Sequence, residues 1–212
     1  MAARVITIAQ QKGGAGKTTL VVNLALTAHE FGRRVALVDI DPQGSLTRWF
    51  ATRRASLDGL AGIEVSTVTG WRAANEIQRL ARDYDLVFVD SPPHAQTDAK
   101  VVIRAAHLVV APVQPSPLDI WATKPTIDLA EAEGKHPVLV LNRVPSRNPI
   151  GGAMDAAVAE LGARLAQAKL GNRSSFAAAM ATGQSVREAA PGTIGAREAA
   201  KLTREILALA GG

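Results

Sequence analysis

Apolar residues along this chain fall into short unbroken runs, each ending at a polar or helix-breaking residue. The first is Val5-Ile6-Thr7-Ile8, the next Arg34-Val35-Ala36-Leu37-Val38-Asp39, and a weaker one is Ile63-Glu64-Val65-Ser66-Thr67. Leu86-Val87-Phe88-Val89-Asp90, Leu108-Val109-Val110-Ala111-Pro112 and Val138-Leu139-Val140-Leu141-Asn142 follow. Such runs, continuous rather than alternating, predict strands buried on both faces. Between them, residues 20–31, 44–51, 73–82, 97–105 and 118–133 carry helical patterns. The last holds Pro125, which predicts a kink or a break. Regular strand–helix repetition implies an α/β fold, a doubly wound and mostly parallel sheet flanked by helices. Functional groups are then expected at the carboxyl ends of strands. No linker, low-complexity tract or repeat interrupts the 212 residues, so one domain over 1–212 is expected.

The turn after the first run is Gln10-Gln11-Lys12-Gly13-Gly14-Ala15-Gly16-Lys17-Thr18-Thr19, and a helical pattern begins directly behind it. Strand, glycine-rich turn and helix is the setting of a phosphate-binding loop. Glycines open backbone angles closed to other residues, so successive N–H groups face one anion. The helix adds its positive dipole end. By this reading Gly13, Gly14, Ala15, Gly16, Lys17, Thr18 and Thr19 bind nucleotide, Lys17 reaches the β- and γ-phosphates, and the Thr18 hydroxyl holds Mg²⁺. The usual spelling has glycine five residues before the lysine, but here that position is Lys12. A second lysine at the mouth of a phosphate loop needs negative charge, from its own nucleotide or from that of a second subunit; most lysines are simply solvated.

Lys-Gly-Gly-Ala-Gly-Lys-Thr-Thr resembles the deviant Walker A box of the ParA/MinD family of ATPases. The resemblance implies that Lys12 is the signature lysine, which crosses a dimer interface to the partner's ATP. Asp39-Ile40-Asp41-Pro42-Gln43-Gly44 is similar to the family's switch I motif. Ordinary turn chemistry also accounts for Asp-Pro and Gln-Gly. The family match gives Asp41 the hydrolytic water and Asp39 a supporting place in the magnesium shell. Four apolar residues ending in Asp90 read as a Walker B strand, with Asp90 on Mg²⁺ through water, and Asp90-Ser91-Pro92-Pro93 resembles the family's switch II. Residues 112–119 hold three prolines in a stiff connection, and the segment is similar to one near the nucleotide-dependent dimer interface of small ParA proteins. Asn142, at a strand end, has the donor and acceptor to read an adenine edge; Asn is also a good turn residue.

Composition narrows the partners. The chain has no cysteine, which excludes disulfides and a cysteine-held iron–sulfur cluster, and with it an iron-protein-type reductase. Formal net charge is +5, and residues 143–204 hold nine Arg or Lys against four Asp or Glu. That excess is either a solvated helical surface or a sequence-independent phosphate contact. The family resemblance favours DNA, with Arg164, Lys169, Arg173 and Arg187 as contacts. It implies an ATP-bound homodimer on non-specific DNA, a ParB-like partner that stimulates hydrolysis, and a cytoplasmic protein that joins the nucleoid when ATP-bound. With the loop beginning near residue 12, the helix-turn-helix domain of longer ParA proteins is not expected here. Two other readings stand beside it: a MinD-like membrane-associated ATPase and a P-loop metabolic ligase. The first requires residues 198–209 to face lipid with Leu202, Ile206 and Leu209; packing on the domain is the alternative use of that face. No apolar run reaches the length of a membrane span, so no stable membrane insertion is expected.

Overall fold

The computed structural model describes residues 2–56, 63–93, 96–147 and 151–211. Seven parallel strands form one sheet: β1 (Arg4–Ile8), β2 (Val35–Asp39), β3 (Ile63–Thr67), β4 (Leu86–Asp90), β5 (Leu108–Val113), β6 (Val138–Leu141) and β7 (Arg164–Leu165), in the order β3-β2-β4-β1-β5-β6-β7. The helices are α1 (Lys17–Glu30), α2 (Ser45–Ser56), α3 (Arg72–Asp83), α4 (Gln96–Ala105), α5 (Pro117–Trp121), α6 (Lys124–Ala132), α7 (Gly151–Glu160), α8 (Ser174–Ala181), α9 (Val186–Ala189) and α10 (Ile194–Leu209). Six of the strands are those the apolar runs predict. The expected helix over 118–133 is two helices. Ala122 caps the end of the first, Thr123 is the N-cap of the next, and Pro125 stands in that helix's first turn, where its missing N–H and fixed φ are tolerated.

Strand side chains alternate strictly between two apolar layers. Ile6, Ile8, Val35, Leu37, Leu86, Phe88, Val110 and Val140 share a cluster with α1 and α10. Val5, Ala36, Val38, Val87 and Val89 face Ile77 and Leu80 of α3 and Val102 of α4. Both faces are therefore covered, which is why these strands read as continuous apolar runs. Helix α1 is buried on nearly every side, with Leu20, Val21, Val22, Leu24, Ala25 and Leu26 at 1% exposure or less. Leu202 and Ile206 of α10 are fully buried against it, and Leu209 packs at its edge. That face is therefore occupied within the domain rather than presented to lipid. Among the described residues no helix is long and apolar enough to cross a membrane.

Register sets the site. Asp39 of β2 and Ile8 of β1 both pair with Asp90 of β4, so three carboxyl ends meet on one line. The C-terminal helices are wired to this line by polar contacts. Asn23 of α1 donates to Thr19 O at 2.8 Å and accepts from Val186 N at 2.9 Å. Arg53 of α2, with 5% of its side chain exposed, pairs with Glu188 at 2.8 Å and donates to Gly183 O at 2.9 Å. A buried guanidinium whose partner is taken away, or a carboxylate left alone in its place, is strongly unfavourable. Arg53→Ala is expected to lower stability by about 3 kcal/mol in urea unfolding. Arg34→Ala, which breaks the exposed pair with Asp85, should leave the unfolding curve in the same assay nearly unchanged.

Candidate nucleotide site

Gly16 ends the loop after β1 in a left-handed conformation, φ 91°, and α1 begins at the next residue. This turn aims Lys17 and Thr18 back across the carboxyl ends of β1 and β4. Lys17 is 8% exposed. Burial pushes its ammonium below the ordinary lysine value, while Asp90 and Asp41 pull the other way. The Thr18 hydroxyl donates to Asp90 Oδ2 at 2.6 Å. An open cleft of about 440 Å³ lies over this group, lined by Gly13, Gly14, Lys17, Thr18, Asp41 and Gln43 among others. Thus Gly13, Gly14, Gly16, Lys17, Thr18, Thr19 and Asp41, singled out from sequence, all come to one cleft.

Asp90 is wholly buried, and burial pushes its carboxyl up to about 7, with the Thr18 hydrogen bond acting against the rise and Asp39 adding to it. Its second oxygen, Oδ1, and the neighbouring Ser91 Oγ have no partner among the described residues. Buried bare oxygens of this kind call for a water or a cation. Thr18 and Asp90 therefore fit a hydrated Mg²⁺, whose charge would be spent on the phosphate oxygens.

Asp39 is held by its neighbours along β2 and α2. Its Oδ1 accepts from Asp41 N at 3.1 Å, and its Oδ2 accepts from Thr47 N at 2.8 Å and Thr47 Oγ1 at 2.7 Å. These three donors tie β2, through Asp39, to the first turn of α2. Asp41 keeps one oxygen clear: Oδ1 accepts from Gln43 N at 2.9 Å in a tight turn, and no described residue donates to Oδ2.

A second cleft of about 460 Å³ adjoins the first, walled by Gly16, Thr19, Asn142, Asn172, Phe176 and Ala177 with others. The Phe176 ring on its wall and its place beside the phosphate loop suit a nucleotide base. Asn142 lies here, 6% exposed, but its amide is already engaged: Nδ2 donates to Ala15 O at 2.8 Å, and Oδ1 accepts from Arg143 N at 3.0 Å. The strand-end asparagine thus clamps the phosphate loop, a role not foreseen for it.

The signature position behaves unlike Lys17. Lys12 is half-exposed and its ammonium is paired with Asp119 of α5, away from its own phosphate cleft. Asp119 also accepts from Ser116 Oγ at 2.8 Å. Gln10 fixes the base of this arrangement. Its Nε2 donates to Thr123 Oγ1 at 2.9 Å, and its Oε1 accepts from Thr126 Oγ1 at 3.1 Å and from Lys12 N at 3.3 Å. The brace was not predicted, although a glutamine ending an apolar strand was a visible signal. Leu118 and Trp121 beside Asp119 are 73% and 48% exposed.

The four basic residues expected on DNA divide in two. Arg164 and Lys169 are exposed. Arg173 is instead held by both oxygens of Glu198, at 2.8 and 2.5 Å, and Arg187 pairs with Glu30 at 2.6 Å. Charge counting along the chain could not register those partners. Three more of the nine basic residues counted there, Arg197, Lys201 and Arg204, lie on one exposed face of α10. The acids of that helix are turned elsewhere: Glu198 to Gly171 N and Arg173, Glu205 to Gln167 N and Ala168 N.

A parallel sheet with a lysine-bearing phosphate loop, a Walker B carboxylate touching the loop threonine and a base cleft alongside defines a P-loop nucleotide-binding domain. The sequence profile of the CobQ/CobB/MinD/ParA nucleotide binding domain matches residues 6–186. Over 210 residues the chain is 30% identical to maintenance of carboxysome distribution protein A of Halothiobacillus neapolitanus, with 95% of each chain covered. The cell division ATPase MinD of Pyrococcus furiosus has the same fold, with a TM-score of 0.80 at 20% identity over 98% of this chain and 99% of that one. So has septum site-determining protein MinD of Pyrococcus horikoshii, solved with Mg-ADP, with a TM-score of 0.78 at 20% identity over 99% and 98%. The chain belongs to this family. It is an ATPase of the ParA/MinD type.

Proposed function

We propose that this protein is a nucleotide-switched positioning ATPase: one domain over 1–212 that dimerises with ATP, binds non-specific DNA as a dimer, and releases it after hydrolysis stimulated by a ParB-like partner. The observation that carries the reading is Lys12. A lysine at the mouth of the phosphate cleft is paired with Asp119 on an exposed face rather than with its own cleft. Such a lysine is free to exchange one anion for another when a second subunit brings a nucleotide to that face. The exposed Leu118 and Trp121 give the same face apolar area to bury. The cargo is a macromolecular assembly, whether plasmid, chromosome or protein cluster; the carboxysome in the name of the Halothiobacillus relative is one instance. The protein is then cytoplasmic, and nucleoid-associated when ATP-bound.

The DNA surface of this reading is the α10 face of Arg197, Lys201 and Arg204, with Lys169 and Arg164 as further contacts. Each Lys or Arg on a phosphate releases counterions, so affinity should fall steeply with salt. Cosedimentation with random-sequence DNA is the test, in ADP, in ATP, and in ATP at raised salt. DNA binding in ATP alone, lost at raised salt and absent in Lys12→Ala, is the expected result. The triple variant Arg197→Ala, Lys201→Ala, Arg204→Ala should keep ATPase turnover and lose at least about tenfold in DNA affinity, with a salt slope shallower by about two to three. Absence of DNA binding in every nucleotide state would overturn the reading.

A further inference from the structure

Arg143 stands in a conformation that suits another residue. Its φ is 56°, and among the described residues it is the one non-glycine with positive φ. Glycine takes this left-handed region freely and asparagine tolerates it, whereas in a long side chain it brings Cβ against the following carbonyl. The conformation is imposed from both sides. Asn142 N donates to Val113 O at 2.9 Å, Arg143 N to Asn142 Oδ1 at 3.0 Å, and Val144 N to Leu170 O at 2.9 Å. The chain makes one left-handed step between the end of β6 and a resumed parallel bridge of Val144 with Gly171. A strained position that holds arginine where glycine would sit without strain points to a use for the side chain.

The surroundings say which use. Arg143 lines the phosphate cleft beside Lys17 and Asp41, and the base cleft beside Phe176 and Asn172. It also lines a third cleft of about 440 Å³ bounded by Ser116 and Asp119. Among the described residues no other lines all three. The side chain is exposed and forms no ion pair with a described residue. The part of a nucleotide that passes from a base cleft to a phosphate loop is its sugar and α-phosphate. A guanidinium offers five donors in a planar fork suited to phosphate and hydroxyl oxygens.

We propose that Arg143 is a nucleotide-contacting residue that binds the sugar and α-phosphate of the nucleotide in its own subunit, and that the left-handed backbone step holds it there. The inference rests on the nucleotide reading of the two adjoining clefts. The α-phosphate is common to ADP and ATP, so the contact favours both equally and does not need a second subunit.

The test is titration calorimetry of ADP and of ATP into the wild type, Arg143→Gly and Arg143→Asn, with thermal unfolding of each protein without nucleotide. Both replacements accept φ near 56°, so unfolding midpoints should be unchanged or higher. Affinity for both nucleotides should fall by about tenfold or more, the loss of a charge-assisted hydrogen bond, and by the same factor for each. A wild type that binds and an Arg143→Gly that binds equally well would overturn the proposal while leaving the nucleotide site in place. A clearly lowered midpoint in both variants would overturn it too, because the arginine would then serve the fold. A selective loss of ATP affinity would move the contact to the γ-phosphate or across the dimer, and so refute the assignment. A wild type that binds neither nucleotide would remove the site itself.

Discussion

Gly16→Ala should abolish measurable nucleotide binding in titration calorimetry while the protein stays folded. Two facts converge on that residue. Its φ is 91°, and a Cβ built on it would lie 2.4 Å from Asn142 Nδ2. Asn142 cannot yield freely, because the same Nδ2 holds Ala15 O at 2.8 Å and its Oδ1 caps Arg143 N. Either the asparagine leaves, and the loop loses its clamp, or Gly16 moves, and Lys17 and Thr18 are carried off the line of Asp90. The strain is local, about 1–3 kcal/mol of stability. The functional loss is larger, because several N–H groups and one ammonium lose their common aim; two charged hydrogen bonds alone are worth about 3–6 kcal/mol. Gly13→Ala is the control. Its φ is not positive and nothing lies within 4 Å of the added carbon, so it should bind within a few-fold of the wild type. Equal binding by the two variants would show that the clamp through Asn142 does not shape the loop.

The parts of the fold that were legible in the sequence are those whose physics is local in the chain. A strand covered on both faces must be apolar throughout, and β1, β2, β4, β5 and β6 announce themselves that way. Pro125 cannot sit inside a helix, and the helix divides there. Lys17 and Thr18 are readable because glycines, strand and helix lie within ten residues of them. What the sequence hid depends on partners far along the chain. Asp39 and Asp41 look alike as two carboxylates leaving one strand. Only folding brings Thr47 onto Asp39 and leaves Asp41 open to the cleft. Arg173 and Arg187 look like free cations until Glu198 and Glu30, 25 and 157 positions away, are seen beside them. Helix α8 has alanine where an apolar stripe would otherwise show, burying Phe176 and Ala179. Two-residue β7 is too short for any periodicity to mark.

The contrast between the two aspartates yields the second large effect. Asp41→Ala should cut ATP turnover by about a hundredfold or more, the usual scale for losing a group that orients or deprotonates the attacking water, yet keep nucleotide affinity at or above that of the wild type. Asp41 holds no loop atom other than Gln43 N and lies on the rim of the phosphate cleft. Its charge is felt at Lys17. Removing a carboxylate from beside the ammonium leaves the cleft more positive, which favours a polyanion rather than repelling it. The ATP-bound state would then persist, and with it the DNA-bound state of the proposed cycle, so the variant should cosediment with DNA long after the wild type has released it. Asp39→Ala makes the opposite trade: it takes the acceptor from Asp41 N and from Thr47 N at the start of α2, and should show its effect in thermal unfolding. If Asp41→Ala instead lost ATP affinity, the carboxylate would be part of the binding shell, and the water would need another holder.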